Sequence, residues 1–359
     1  MSIFKASNYA ADLIEKAFTG YDLSPADIVR LLSLSGKDTK MLLAAADSIR
    51  KQYVGDEVYL RGIIEFSNFC ERNCLYCGLR IGNPKLQRYR MTEDEIIATA
   101  KQVKERQVPT VVLQSGEDSF FTTTIICRII QRIREETGLI ITLSIGERSY
   151  EDFQTFKKAG ADRYLLKHET ASTELFQQMR PGCKLESRVQ CLRWLKGLGW
   201  ETGTGNMVGL PGQTRETLAA DLLFMKQLDA DMLGIGPFIA HQDTPLANSA
   251  NGDIELTIKM LALARIITRD TNIPATTALG TLDAGGRLKA LQAGANVVMP
   301  DFTPFKYKTL YDIYPGRTDV GSPAEIIAKL KNDLASIGRT IIFGSGYRPG
   351  KTINSPTNI

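Results

Sequence analysis

The sequence predicts a (β/α)8 TIM-type barrel preceded by an N-terminal helical extension. Three observations predict it. From Val58 onward, short apolar runs of β type alternate with amphipathic helical stretches, the order that a parallel sheet built of βα units requires. The β-type runs fall at 58–65, 110–114, 140–144, 163–167, 201–208, 232–236, 275–279 and 296–299, enough to close a barrel. The chain has 359 residues, which suits one large barrel with an extension.

The elements are justified in order. The first ~55 residues read as helices, with Ser24 as an N-cap and Pro25 in the first turn ahead of an Ile28, Leu31, Leu32 stripe. Thr92 with Glu95 three residues on is a capping box that opens the first barrel helix. Gly160, Gly199 and Gly294 each end a helix just before a strand, and Ser322-Pro323 opens the last helix. Residues after Gly344 read as a loose tail. The expected organisation is therefore an N-terminal helical cap at 1–55, the barrel at 56–343 and a C-terminal tail at 344–359.

Lys plus Arg number 44 against 40 Asp plus Glu, so a net charge of +4 is spread thinly and forms no basic block. Nucleic acid and membrane surfaces gain no support from that balance, and no stretch of about 18 uncharged apolar residues occurs. A cytoplasmic protein is expected. Three of the six cysteines lie within eight residues of one another, which points to metal binding in a reducing compartment over a disulfide framework.

Barrel enzymes work at the C-terminal ends of their strands. Here the first strand leads into Cys70, Cys74 and Cys77, a C-x3-C-x2-C loop made polar by Glu71, Arg72 and Asn73. Three thiolates from one loop can hold three irons of a cubane cluster and leave the fourth iron open for chemistry. A structural zinc site is the competing reading. It needs a fourth ligand, and both histidines, His168 and His241, are remote in sequence.

With Tyr76 just before the last cysteine, the loop resembles the signature of radical S-adenosylmethionine (SAM) enzymes. The resemblance implies one [4Fe-4S] cluster on Cys70, Cys74 and Cys77, with SAM chelating the open iron through its amino and carboxylate groups. Residues 65–80 and Arg88-Tyr89-Arg90-Met91-Thr92 are similar to the group holding biotin synthase, methylornithine synthase and the [FeFe]-hydrogenase maturase HydE. Likeness to the HydE family extends through 113–118, 164–170, 207–214, 234–239 and 274–278.

Period-two alternation puts Arg163, Leu165, Lys167 and Glu169 on one face of the fourth strand, with His168 between inward-facing neighbours and read as structural. By resemblance, Glu169 accepts from the SAM ammonium and Arg188 pairs with its carboxylate, a task that a planar guanidinium suits. Ser115 and Gly116 would approach the SAM amino group, and Tyr76, Met207 and Ile239 would wall the adenine. Thr142, Lys167, Thr276, Thr277, Met299, Tyr311 and Tyr314 match substrate-lining positions. Where the family has arginine, Lys167 keeps the charge and loses the fork. Many HydE chains carry a later cysteine motif for an accessory cluster, whereas no cysteine follows Cys191 here, and Cys127, Cys183 and Cys191 lack metal spacing. One cluster is expected.

The implied activity is reductive cleavage of SAM and processing of a small-molecule or organometallic substrate. In the HydE family that substrate is a cysteine-ligated iron dicarbonyl cyanide precursor of the hydrogenase site. Implied partners are an electron donor such as flavodoxin or ferredoxin and other hydrogenase maturation proteins. A methylornithine-synthase-like or biotin-synthase-like enzyme is the second reading, and a non-catalytic iron-sulfur carrier the third.

Overall fold

The computed structural model describes residues 8–20, 22–317 and 321–349. Helices α1 (Asn8–Thr19), α2 (Pro25–Leu32) and α3 (Gly36–Val54) precede the strands. The strands are β1 (Glu57–Leu60), β2 (Gly62–Ser67), β3 (Thr110–Ser115), β4 (Ile140–Ser144), β5 (Arg163–Leu165), β6 (Glu201–Thr204), β7 (Met207–Val208), β8 (Met232–Leu233), β9 (Gly236–Pro237), β10 (Val297–Val298) and β11 (Thr340–Ile342). Between them run α4 (Glu93–Glu105), α5 (Thr123–Thr137), α6 (Tyr150–Ala159), α7 (Thr173–Met179), α8 (Leu185–Gly197), α9 (Arg215–Gln227), α10 (Ile254–Thr268), α11 (Thr277–Leu282), α12 (Gly286–Gln292), α13 (Phe305–Lys308) and α14 (Pro323–Ser336).

All strand pairs are parallel, in the order β2-β3-β4-β5-β6-β8. Bridges from Met232 to Asn272 and from Pro274 to Val297 carry the ring on to β10, which pairs with β1. The barrel thus closes through eight positions, as the alternation predicted. The seventh position differs from expectation. Residues 275–279 do not form a strand: Thr276 is already a helix N-cap, and α11 starts at Thr277. Pro274 has no N–H to give a ladder, so this position survives only as isolated bridges. The first strand divides at Arg61, so that β1 meets β10 and β11 while β2 meets β3. The unanticipated β11 covers the edge of β1 that β3 does not reach.

The N-terminal helices lie outside the barrel against α9 and α10, where Ile28, Leu31, Leu32, Leu42, Ala46 and Ile49 are fully buried in the same core as the strands. Helix α10 is buried from Thr257 to Ile266 because α3 covers the face that the barrel leaves free. No helix among the described residues is long and apolar enough to cross a membrane.

Residues 344–349, expected as a loose tail, instead close the barrel floor; 350–359 lie outside the described residues. Buried Arg163, paired with Glu201, donates to Ser345 O at 2.7 Å. Arg61 and Asn272 both donate to Gly346 O, at 3.1 and 3.0 Å. Arg348 reaches Asp229 at 2.6 Å and Asp270 at 2.8 Å. Buried guanidiniums need acceptors, and these loop carbonyls supply them.

The capping box of α4 does more than start a helix. Thr92 N donates to Glu95 at 2.8 Å, and Glu95 also accepts from Lys306 (2.6 Å) and Tyr307 (2.9 Å), which ties α13 to the first barrel helix. Burial alone would raise its carboxyl, but these hydrogen bonds outweigh it and hold the group down at about 2. A carboxyl depressed in the fold stabilises fully above its ordinary value near 4.5, and the contribution disappears as pH falls toward 2. Glu95→Gln is expected to lose about 1 kcal/mol at pH 7, allowing for solvent screening, and almost nothing near pH 2. Urea midpoints at the two pH values check this; an equal loss at both would overturn it.

Candidate active site

The cysteine loop leaves β2 through Asn68, which is fully buried. Its amide donates to Gln87 O and Leu310 O, both at 2.8 Å, and its carbonyl accepts from Tyr89 N at 2.7 Å. Arg88 gathers the carbonyls of Asn68, Leu79 and Arg80 at 2.6–2.7 Å. Backbone hydrogen bonds then pin the loop at Glu71 to Glu117, at Leu75 to Met179 and at Gly78 to Ile313. A loop held from this many sides presents its thiols in a set arrangement.

Cys74 is buried and Cys70 and Cys77 are half-buried. Burial pushes the Cys74 thiol up to about 11 and raises Cys70 and Cys77 as well; nearby Arg180 pulls Cys74 the other way. Metal binding therefore has to displace protons here. His168 contacts Thr204 (2.9 Å) with its Nδ1, and His241 contacts Asp312 (2.9 Å) with its Nε2, so both have partners other than the thiols. No three His, Cys, Asp or Glu side chains among the described residues gather closely enough to hold a single ion. A cubane takes each thiolate on a different iron and suits a wider spacing.

Beside the loop lies a group of charges of which the sequence reading gave a role to Arg188 alone. Glu117 accepts from Arg72 at 2.6 Å and lies 3.4 Å from Arg180 and 3.3 Å from Arg188. Nε of Arg188 is also 2.8 Å from Glu147, in contact but not aimed as a hydrogen bond. Gln114, Ser115 and Gly116 bring Glu117 here from the end of β3. Ser115 donates to Gly116 O, Gly116 lies against Phe69 and Cys70, and neither residue lines the cavity.

A cavity of about 310 Å³ runs down the barrel from Tyr76 and Cys77. Glu169, Met207 and Ile239 line it, as do Thr142, Lys167, Thr276, Thr277, Met299 and Tyr314. The residues expected to face SAM and those expected to face substrate thus share one wall, except Ser115, Gly116, Arg188 and Tyr311. Tyr311 is buried, hydrogen-bonds Gln114 of the cavity wall and also borders a separate hollow beside Lys308. Arg317, which the sequence reading did not single out, also lines the cavity and grips buried Glu65 through two hydrogen bonds of 2.7 and 2.8 Å. A glutamate inside the apolar run 62–66 was the available sign that a buried cation must be near. Its partner carried no sign at all.

Alternation places Leu165, Lys167 and Glu169 on the cavity, while Arg163 lies at the floor. Glu169 has a left-handed backbone (φ 67), a costly conformation for a non-glycine residue. Its N–H donates to Gly205 O and its carbonyl accepts from Met207 N, both at 3.0 Å. Asp221 holds the surroundings by accepting from Ala171 N and Asn206 Nδ2. The hydroxyls of Thr142 and Thr276 are buried without hydrogen-bond partners on the cavity wall, a cost that a bound polar group would remove.

Comparisons with known proteins agree with this geometry. Residues 64–225 match the Radical SAM superfamily. The [FeFe] hydrogenase maturase subunit HydE of Thermotoga maritima is 55% identical over 276 residues, covering 77% of this chain and 79% of that protein. The 3-methylornithine synthase of Methanosarcina barkeri is 31% identical over 81% of this chain and 83% of its own. A crystal structure of methylornithine synthase superposes with a TM-score of 0.82 at 28% identity, over 92% of this chain and 97% of that one. The maturase HydG shares the fold at 20% identity, with a TM-score of 0.83 over 97% of this chain and 79% of its own. The chain belongs to the radical SAM superfamily and, within it, to the family of HydE. It therefore uses a [4Fe-4S] cluster and SAM, and the three thiols beside an open-ended cavity fit that pair.

Proposed function

We propose that this protein is a cytoplasmic radical SAM enzyme of [FeFe]-hydrogenase maturation whose substrate is a cysteine-ligated iron dicarbonyl cyanide complex. The observation that carries the reading is the continuous cavity from Cys77 past Glu169 to Lys167 and the unpartnered hydroxyls of Thr142 and Thr276. When bound, the cluster supplies the electron that splits SAM into methionine and a 5'-deoxyadenosyl radical.

The chain's own groups do the rest. Glu169 accepts hydrogen bonds from the SAM amino group, and Arg188, held by Glu117 and Glu147 near the cysteine loop, is the cation for the SAM carboxylate. Tyr76, Met207 and Ile239 exclude water around the adenine. Lys167, whose Nζ is 3.7 Å from Glu169, offers its charge to the substrate carboxylate, and Thr142, Thr276 and Thr277 offer hydroxyls. Met299 and Tyr314 complete the apolar wall. A low-potential donor of the flavodoxin or ferredoxin type supplies the electron, and other maturation proteins receive the product.

The test is anaerobic incubation of reconstituted protein with SAM and dithionite, with and without the iron complex. Release of 5'-deoxyadenosine that rises when the complex is added is expected. No release would leave an iron-sulfur carrier, and release indifferent to the complex would remove the substrate assignment. Lys167→Met is expected to raise KM for the complex by about tenfold to a hundredfold, the worth of one charged hydrogen bond, with KM for SAM unmoved.

A further inference from the structure

Arg180 is the most deeply placed cation at the cysteine loop that the reading above leaves without a task. It is 5% exposed and follows Met179, whose carbonyl accepts from the N–H of Leu75 at 2.9 Å, so Arg180 and Cys74 flank one backbone hydrogen bond. Its Nη1 donates to the Tyr76 hydroxyl at 3.3 Å, and its Nη2 reaches Glu117 at 3.4 Å. Its Nε is buried with no hydrogen-bond partner.

Arg72, Arg180 and Arg188 all reach Glu117, and Arg188 also reaches Glu147. Arg72 is 35% exposed in its side chain and screened by solvent, and Arg188 is in contact with both carboxylates. Arg180 has one carboxylate contact, Glu117 at 3.4 Å, and shares it with the other two guanidiniums. Three thiolates on a cubane make an anion, and reduction adds one electron and no proton, so a fixed buried cation favours the reduced state.

We propose that Arg180 is a positioning residue of the cluster, a guanidinium held against the Tyr76 hydroxyl of the cysteine loop that raises the cluster's reduction potential and so eases arrival of the electron. The inference rests on the cluster assignment, and wild-type protein that binds no cubane would remove both together. With the cubane present, the two can fail separately.

The experiment is an anaerobic redox titration of reconstituted holoprotein without SAM, followed by electron paramagnetic resonance of the reduced cluster, with iron counted in every sample. Arg180→Gln is expected to shift the ratio of reduced to oxidised cluster at fixed ambient potential at least tenfold toward oxidised, equivalent to 59 mV for a one-electron couple. Arg180→Lys keeps the charge and is expected to stay within about threefold of wild type, as is Arg72→Gln, whose charge is screened. Arg180→Gln titrating as wild type overturns the proposal. So does Arg72→Gln shifting equally, or Arg180→Lys shifting tenfold while it retains its iron. If Arg180→Gln holds no iron, Arg180→Lys still decides: a wild-type titration supports the charge, and a tenfold shift rejects it.

Discussion

Cys74→Ala is expected to yield a folded barrel without a cluster. Cys74 is the buried member of the trio, and the backbone hydrogen bond from Leu75 to Met179 keeps the loop in place whether or not the thiol is there. Two remaining thiolates leave two irons without protein ligands, so iron and sulfide per chain should fall close to zero and 5'-deoxyadenosine release to background. The apoprotein fold loses only a small buried group, about 1 kcal/mol and a melting shift of a few degrees. Cys191→Ala is the matched control. It removes another buried thiol, on α8, whose sulfur donates to the carbonyl of Arg148 at 3.7 Å, and iron content should not change. Wild-type iron and activity in Cys74→Ala, or equal losses in both variants, would contradict the assignment of the loop.

Gly116→Ala is expected to cost nearly as much activity by a different route. A Cβ at this position would sit 2.2 Å from Phe69 O and 2.7 Å from Cys70 Cβ. The nearest obstacle is backbone, so no rotamer relieves it, and the end of β3 must separate from the cysteine loop. Overpacking of this kind costs about 1–3 kcal/mol. Here it falls on the contact through which Glu71 N meets Glu117 O, so Cys70 and the Glu117 charge group move together. Lower iron occupancy, lower urea stability and a strong loss of SAM cleavage should appear in one variant. Gly197→Ala, where a Cβ would meet nothing within 4 Å outside its own helix and the backbone is not left-handed, should keep wild-type iron and SAM cleavage with urea stability no lower. A Gly116→Ala protein with full iron content and activity would show that the contact is not needed.

Much of the architecture was legible because it rests on residues close together in the chain. The capping boxes at Thr92 and Ser322, the left-handed Gly160, and the alternation that sets Lys167 and Glu169 toward the cavity are all local patterns. The cysteine spacing is local too, and it was enough to point to a cubane. Errors arose where a local pattern was outvoted. The run 275–279 looks like a strand, but Pro274 withholds a donor and Thr276 caps a helix. The tail after Gly344 looks like a loop, yet its carbonyls answer guanidiniums at the floor.

By itself, then, the sequence determined the barrel, the cysteine loop proposed to hold the cluster and the family chemistry. Only the tertiary structure decided which charges surround them. Arg317 and Glu65 are separated by 252 residues and Arg180 and Tyr76 by 104, and no periodicity or spacing relates such pairs. The physical reason is that a buried charge must find a partner wherever the fold offers one. Which group answers depends on how the strand ends converge, a property of the closed barrel that no single segment carries.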